Sequence, residues 1–235
     1  MSSTASSRTS VSLLAGLLLA CAGCASLPKA TLLFEDDFRH GLGLWHVEAE
    51  KPGRIVAANG VLDIDVPAGA TLWFKPRLDG PITIEFEAMA VAEAGPNDQV
   101  SDLNVFWMAN NVGGKQPVFA KRRSGAFAEY NDLLTYYVGL GGNRNTTTRF
   151  RRYIGDPTHR PLLPEHDLTS SLLVGNRKQT ITLMADGKAI EYRRDGQPIF
   201  RFEDSAPYTN GWFALRTTYS HLRIERLRIY RAPHT

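Results

Sequence analysis

Cysteine is nearly missing from this chain: 235 residues carry two, Cys21 and Cys24. No disulfide framework can therefore staple the rest of the chain, and its stability must come from a packed core. About 200 residues suffice for that, since a domain of this size buries roughly 70% of its unfolded surface. An excess of charge is missing too. Lys and Arg number 27 against 24 Asp and Glu, and without residues 1–23, which contribute only Arg8, the balance is 26 to 24. That gives no footing to a nucleic-acid partner, which calls for a strongly basic domain or stripe. No Gly-X-Ser-X-Gly elbow, His-Glu-X-X-His pair, P-loop or dinucleotide fingerprint occurs, so serine-hydrolase, zincin and nucleotide-binding readings have no anchor. The apolar run at residues 11–20 is too short to span a bilayer.

That run is instead the core of a leader. It follows a polar stretch with Arg8 and ends in Leu18-Leu19-Ala20-Cys21-Ala22-Gly23-Cys24, which resembles the lipobox of bacterial lipoproteins. Residues 1–23 are then a lipoprotein signal peptide, with Cys24 lipidated because Ala22 and Gly23 precede it. Cys21, with Leu18 three residues upstream, is the alternative. Ala25 rather than Asp follows Cys24, so the expectation is an exported protein held to the outer membrane by its lipid alone. Residues 24–30 are a short linker.

From residue 31 onward the pattern is alternation, apolar then polar, broken by Gly, Pro, Asn and Asp about every ten residues. Leu62-Asp63-Ile64-Asp65-Val66 and Ile82-Thr83-Ile84-Glu85-Phe86-Glu87 are examples. Asp186-Gly187 and Asp195-Gly196 are hairpin signals, because glycine supplies the positive φ of primed turns. The last strand changes parity between Ile224 and Leu227, which predicts a bulge. Many short strands and no helical period define an all-β domain over 31–235, a two-sheet antiparallel jelly-roll sandwich. The stretches 93–99, 110–125 and 155–175 are long loops of the kind that wall binding sites.

Two sets of residues carry a resemblance. The closing run Asp186-Gly187, Asp195-Gly196, Gly211-Trp212-Phe213-Ala214-Leu215-Arg216-Thr217 and Ile229-Tyr230 is similar to the terminal strands of concanavalin-A-like jelly rolls. More specific are Trp73-Phe74-Lys75-Pro76, Ser101-Asp102-Leu103-Asn104, Trp107-Met108-Ala109 and the segment from Gly141 to Tyr153. Together they resemble the YesU-like family of bacterial jelly-roll proteins, over most of residues 32–231. The resemblance implies the concanavalin-A-like fold and a role in the use of pectin and related polysaccharides.

Parity assigns the open face. With Leu103, Val105 and Trp107 buried, Asp102 and Asn104 point out. With Tyr136, Val138 and Leu140 buried, Tyr137 points out beside Gly139. Phe150 and Ile154 turn inward, leaving Arg149, Arg151 and Tyr153 outward and Arg152 as an inward misfit. Phe213, Leu215 and Thr217 turn inward, leaving Trp212, Arg216 and Thr218 outward. If these strands share one sheet, its open face suits an acidic sugar: guanidinium groups grip carboxylates in pairs, and Tyr, Asn and Trp stack and hydrogen-bond. A uronate lyase needs this inventory, with Arg149 and Arg151 on the carboxylate and Tyr137 and His221 as base and acid. Asp102, Asn104, Tyr153, Trp212, Arg216 and Thr218, with Asn143 and Asn145 in the adjacent turn, would bind substrate.

Other readings stay open. Glu85 and Glu87 alternate as the carboxylates of a jelly-roll glycoside hydrolase do, although a solvated outer face explains them as well. A non-catalytic carbohydrate-binding lipoprotein needs no proton-transfer pair, and a structural envelope protein needs no glycan. No cofactor is expected; calcium is conceivable on Glu35, Asp36, Asp37, Asp98 and Asp102. His40, His46, His159, His166 and His234 lack metal spacing and read as surface or loop residues. The partner is a poly- or oligosaccharide, and the protein is expected to be a monomer.

Overall fold

Alternating apolar residues form a strand wherever one face can be buried, and among the described residues they form fourteen. The first seven are β1 (Thr31–Asp36), β2 (Trp45–Ala49), β3 (Arg54–Ala58), β4 (Val61–Phe74), β5 (Leu78–Asp79), β6 (Ile82–Ala90) and β7 (Leu103–Asn111). The rest are β8 (Leu133–Gly141), β9 (Thr147–Ile154), β10 (Asp167–Leu168), β11 (Gln179–Ala185), β12 (Ala189–Arg194), β13 (Gln197–Glu203) and β14 (Asn210–Arg231). The structure is a computed structural model that describes Met1 and residues 30–162 and 164–232. The leader, Cys21, Cys24, most of the linker and His234 lie outside the described residues.

Two long strands, β4 and β14, run through both layers of the sandwich and make its pairing continuous. In the front layer Ala70–Trp73 of β4 pairs with β2 and with Ala214–Thr217 of β14, and β7, β8, β9 and β10 follow in order. In the back layer Leu62–Val66 of β4 pairs with β3 and with the later part of β14, which passes to β6, β11, β12 and β13. The crossing is marked by a register shift between Thr218 and Ser220, where Tyr219 takes a φ of 46°. All pairings of the named strands are antiparallel. The all-β jelly roll read from the alternation is the fold observed.

Between the layers lies one apolar core. Leu103, Val105 and Trp107 of β7, Tyr136, Val138 and Leu140 of β8, and Phe213 and Leu215 of β14 meet Ile84, Phe86, Ile181 and Leu183 from behind. Each fully buried side chain of this kind contributes roughly 1.5–3 kcal/mol. The expected bulge is present, with the β14–β6 register slipping between Glu225 and Arg228 and Arg226 at a φ of 51°. The β12–β13 hairpin turns on Asp195 and Gly196, both at positive φ, the backbone that type I′ turns require. The Arg152 misfit is accommodated at the rim of the core: its Nε donates to Asp204 at 2.7 Å, and its guanidinium lies 4.3 Å over the Tyr208 ring. Ile154, expected inside, is 39% exposed, because β9 ends there beyond the edge of the sandwich.

A second apolar cluster sits on the outer face of the front layer, where the alternation alone would put solvent. Trp73, Phe106, Ala109, Tyr137, Tyr153, Trp212 and Ala214 are roofed by Val118 and Tyr130, with Phe119 and Phe127 packed alongside. These last four belong to residues 112–132, the connection from β7 to β8, which folds back over the sheet as a strap. Arg123, 5% exposed, holds the strap to itself through the carbonyls of Val118 and Glu129 and the side chains of Asn111 and Asp132.

Candidate functional site

Antiparallel register sets the residues of the front layer's outer face in rows. Across β2, β4, β14, β7, β8 and β9 one row reads Glu48, Thr71, Arg216, Asn104, Gly139, Arg149. The next reads His46, Trp73, Ala214, Phe106, Tyr137, Arg151. Asn104, Tyr137, Arg149, Arg151, Tyr153 and Arg216 thus share one face, as parity required. Over the β8–β9 end of these rows opens a cavity of about 580 Å³. Asp102, Tyr137, Asn143, Arg149, Arg151 and Thr218 line it, together with Phe127, Arg144 and Arg160.

The phenol of Tyr137 is the floor of this cavity. Its ring packs 5.0 Å from Phe106 and 5.4 Å from Phe127, and its hydroxyl extends over Gly139. A β-carbon at Gly139 would come 2.8 Å from that oxygen, so glycine here is what lets the phenol lie flat. Burial pushes the Tyr137 hydroxyl well above its ordinary range, reinforced by Tyr153 and Asp102 and opposed by Arg216 and Arg151. Tyr137 is therefore a neutral proton donor at neutral pH.

Asp102 stands beside it at a φ of 58°, where β7 begins. Ser101 donates to its Oδ2 at 2.8 Å and Asn104 to its Oδ1 at 3.2 Å. Burial raises its carboxyl above the usual carboxylate range, against the pull of Ser101, Asn104 and Arg216. Asn104 is itself buried, and its Oδ1 has no hydrogen-bond partner.

The cations divide into paired and unpaired. Arg149 places Nε 2.6 Å and Nη2 3.2 Å from the two oxygens of Asp167 on β10, so its fork is occupied. Arg151 donates to the Arg160 carbonyl at 2.8 Å and has no carboxylate partner among the described residues, and burial and the neighbouring Arg160 and Arg149 lower its affinity for its proton. Arg160 donates to the Tyr153 hydroxyl at 3.4 Å and lies over the Phe127 and Tyr153 rings, again without a carboxylate among the described residues. No hydrogen bond or ion pair engages the exposed Arg144 among the described residues. Arg144 and Arg160 were not singled out from the sequence; Arg160 sits in an irregular loop where no period assigns a direction.

Several expected site residues lie elsewhere. His221 is not in the cavity. The irregularity at Tyr219 reverses the parity of β14, so His221 shares the outer face of the back layer with Asp63. There its Nδ1 lies 2.9 Å from Asp98 and its Nε2 3.0 Å from Asp63. Its assignment as the acid or base opposite Tyr137 is corrected accordingly. Arg216 and Tyr153 face the right way but lie under the cavity floor. Arg216, 3% exposed, donates to Thr71 Oγ1 at 2.7 Å and to the strap carbonyl of Gly125 at 2.9 Å. Tyr153 is fully buried. Trp212 is covered by Phe119 and donates to the Lys75 carbonyl, away from the cavity. Asn145 spends both ends of its amide on the Leu173 backbone, which makes it a loop clasp and not a ligand contact.

The remaining sequence candidates also find other employment. Glu87 pairs with Lys178 and Arg226 on the outer face of the back layer, away from the cavity. The carboxylates considered for calcium are separated: Asp36 accepts from Phe38 N and Trp45 Nε1, Asp98 from Glu93 N and His221, and Glu35 pairs with Arg228. Among the described residues no three His, Cys, Asp or Glu side chains converge as metal ligands. His166, read as a surface or loop residue, lies in the connection between β9 and β10 but is 6% exposed there, packed among Phe150, Phe200 and Phe202.

Solved structures share this architecture at low sequence identity. A protein of unknown function with a galectin-like fold from Bacillus subtilis superposes with a TM-score of 0.68 and 15% identity, over 87% of this chain and 98% of its own. The carbohydrate-binding module CBM66 from Bacillus subtilis gives 0.54 and 8%, over 80% and 95%. A prokaryotic β-1,3-1,4-glucanase (lichenase) from a mouse hindgut metagenome gives 0.55 and 13%, over 86% and 99%. No curated protein sequence matches the chain. The match to residues 64–227, from within β4 to within β14 and enclosing the whole cavity, places the chain in the family described as a domain of unknown function, DUF6250.

Proposed function

We propose that the cavity binds an acidic, uronate-containing saccharide and promotes its cleavage by β-elimination. The observation that carries this reading is the set of guanidinium groups without carboxylate partners, Arg144, Arg151 and Arg160, gathered around the Tyr137 phenol and the Asp102 carboxyl. Unpaired cations in a partly desolvated cavity favour an anion, and their forks match a carboxylate. Carbohydrate-binding and glucan-cleaving proteins of the same fold support a saccharide, as does the resemblance to pectin-associated YesU-like proteins.

In this reading Arg151 and Arg160 hold the C5 carboxylate and draw off the charge that develops when the C5 proton leaves. Asp102 takes that proton; its raised affinity makes it a stronger base than an ordinary carboxylate. The C5–H electron pair becomes the C4–C5 double bond, the C4–O bond breaks, and Tyr137 gives its proton to the departing oxygen. Solvent exchange returns Asp102 and Tyr137 to their starting states. Formation of unsaturated uronide, followed by ultraviolet absorbance across a panel of uronate polysaccharides, tests the reaction. Saccharide binding without any rise in absorbance favours the second reading, a non-catalytic binding protein. The burial that holds both Tyr137 and Asp102 toward their neutral, hydrogen-bonding forms supports that alternative.

The proposal includes export and anchoring through Cys24. Replacing Cys24 by Ala should release the protein from membranes and abolish its acylation. Retention of both would move the anchor to Cys21.

A further inference from the structure

Among the described residues, the outer face of the front layer is open at its two ends and covered between them. Over β4, β14 and β7 the row residues Thr71, Trp73, Ala214, Arg216, Phe106 and Asn104 are each 3% exposed or less. The strap covers them. It is seated by close backbone approach, for a β-carbon on Gly125 would lie 2.6 Å from Glu50 N, and one on Gly69 would lie 2.6 Å from the Gly125 carbonyl. Arg216 fastens the same carbonyl from below, and its guanidinium stacks on Phe127 and Tyr130 at 4.8 and 5.0 Å. Tyr130 reaches across to the buried Glu48 at 2.7 Å. Beyond the strap, over β2, a separate cavity of about 780 Å³ is lined by His46, Glu48, Phe119 and Arg122 among others.

Charge separates the two openings. The β8–β9 cavity is lined by Arg144, Arg149, Arg151 and Arg160 against Asp102 alone. The β2 cavity balances Lys121, Arg122 and Arg123 with Glu48, Glu50 and Glu129. A polyanion laid across the sheet would have to pass through a packed aromatic layer and then leave its cations behind.

We propose that the β8–β9 cavity receives the end of an acidic glycan chain and not an internal stretch, with the strap, through Phe127 and Gly125, closing the path across the sheet. This rests on the acidic-saccharide reading and adds its mode of recognition. The test is a binding titration of the purified domain against one uronate polysaccharide at fixed total uronate, intact and after partial depolymerisation to graded lengths. Chain-end recognition predicts that protein bound at saturation rises by the same factor as the number of ends, and that Arg151→Ala weakens binding by one to two orders of magnitude at every length. Uptake that follows uronate mass and ignores chain length overturns the end-recognition mode and leaves the acidic-saccharide reading standing. Absence of binding at every length overturns both.

Discussion

Tyr137 and Arg151 stand directly opposite each other on β8 and β9, and the Tyr137 hydroxyl lies along its own strand over the bare α-carbon of Gly139. Phenol and guanidinium therefore reach the same cavity from neighbouring strands, and a missing side chain two residues along from Tyr137 sets the height of the phenol.

Gly139→Ala probes that arrangement. The new methyl must displace the Tyr137 ring, at a cost of roughly 1–3 kcal/mol for overpacking a filled site. Calorimetry should show affinity for uronate oligosaccharides falling about tenfold, equivalent to 1.4 kcal/mol, with the fold retained by circular dichroism. Unchanged affinity would take Tyr137 out of the ligand's reach.

Arg151 and Arg149 should differ although both line the cavity. A hydrogen bond to a charged group is worth roughly 1.5–3 kcal/mol, so Arg151→Ala should weaken acidic-saccharide binding by one to two orders of magnitude. Arg149→Ala should cost less, since its fork is already given to Asp167. Added salt should weaken binding to the parent more than to the Arg151 variant. Equal losses in the two variants would contradict the division into free and paired cations.

Asp102 gives a pH signature. A carboxyl raised in the folded state binds more protons than in the unfolded chain between the two values, so its contribution to stability falls as pH rises through that window. Asp102→Asn removes the buried charge. Its melting temperature at neutral pH should exceed the parent's, and the difference should shrink as pH falls and the parent carboxyl takes up its proton. Turnover, measured by ultraviolet absorbance, should be lost in the same variant. A difference that grows on acidification would reverse the assignment.

Asp204 predicts the opposite limb. Burial pushes its carboxyl up, but Arg152, the Tyr136 hydroxyl at 2.6 Å and the Ala206 N–H outweigh that and hold it below the carboxylate range. Its stabilisation is present above the unfolded value of about 3.9 and is lost as pH falls below it. Asp204→Ala should cost about 3 kcal/mol at neutral pH, as breaking a buried ion pair does. Thermal melts from neutral to acidic pH should show the penalty narrowing at the acid end, and a pH-independent penalty would rule out the ion pair as its source.

The rows of the open face were legible because strand parity is a local property. Once Leu103, Val105, Tyr136, Val138, Phe213 and Leu215 are assigned to the core, Asn104, Tyr137, Arg151 and Arg216 must point the other way. His221 escaped the same logic because a single residue, Tyr219, breaks the period where β14 changes layers. Asn145 has the chemistry of a sugar ligand, yet its partner is a backbone 28 residues away, which no short-range pattern encodes.

The chain by itself determined the all-β fold, the sites of its turns and bulge, and which side chains share a face, since each follows from alternation, glycine and steric preference over a few residues. Only the tertiary structure decided which of those side chains stay available. Whether Arg216 and Tyr153 meet solvent depends on where the strap lands, and whether an arginine is free, as Arg151 is, or spent, as Arg149 is, depends on Asp167 arriving from another strand. Contacts of that kind join residues far apart in sequence and are fixed by packing, which the local pattern of residues does not carry.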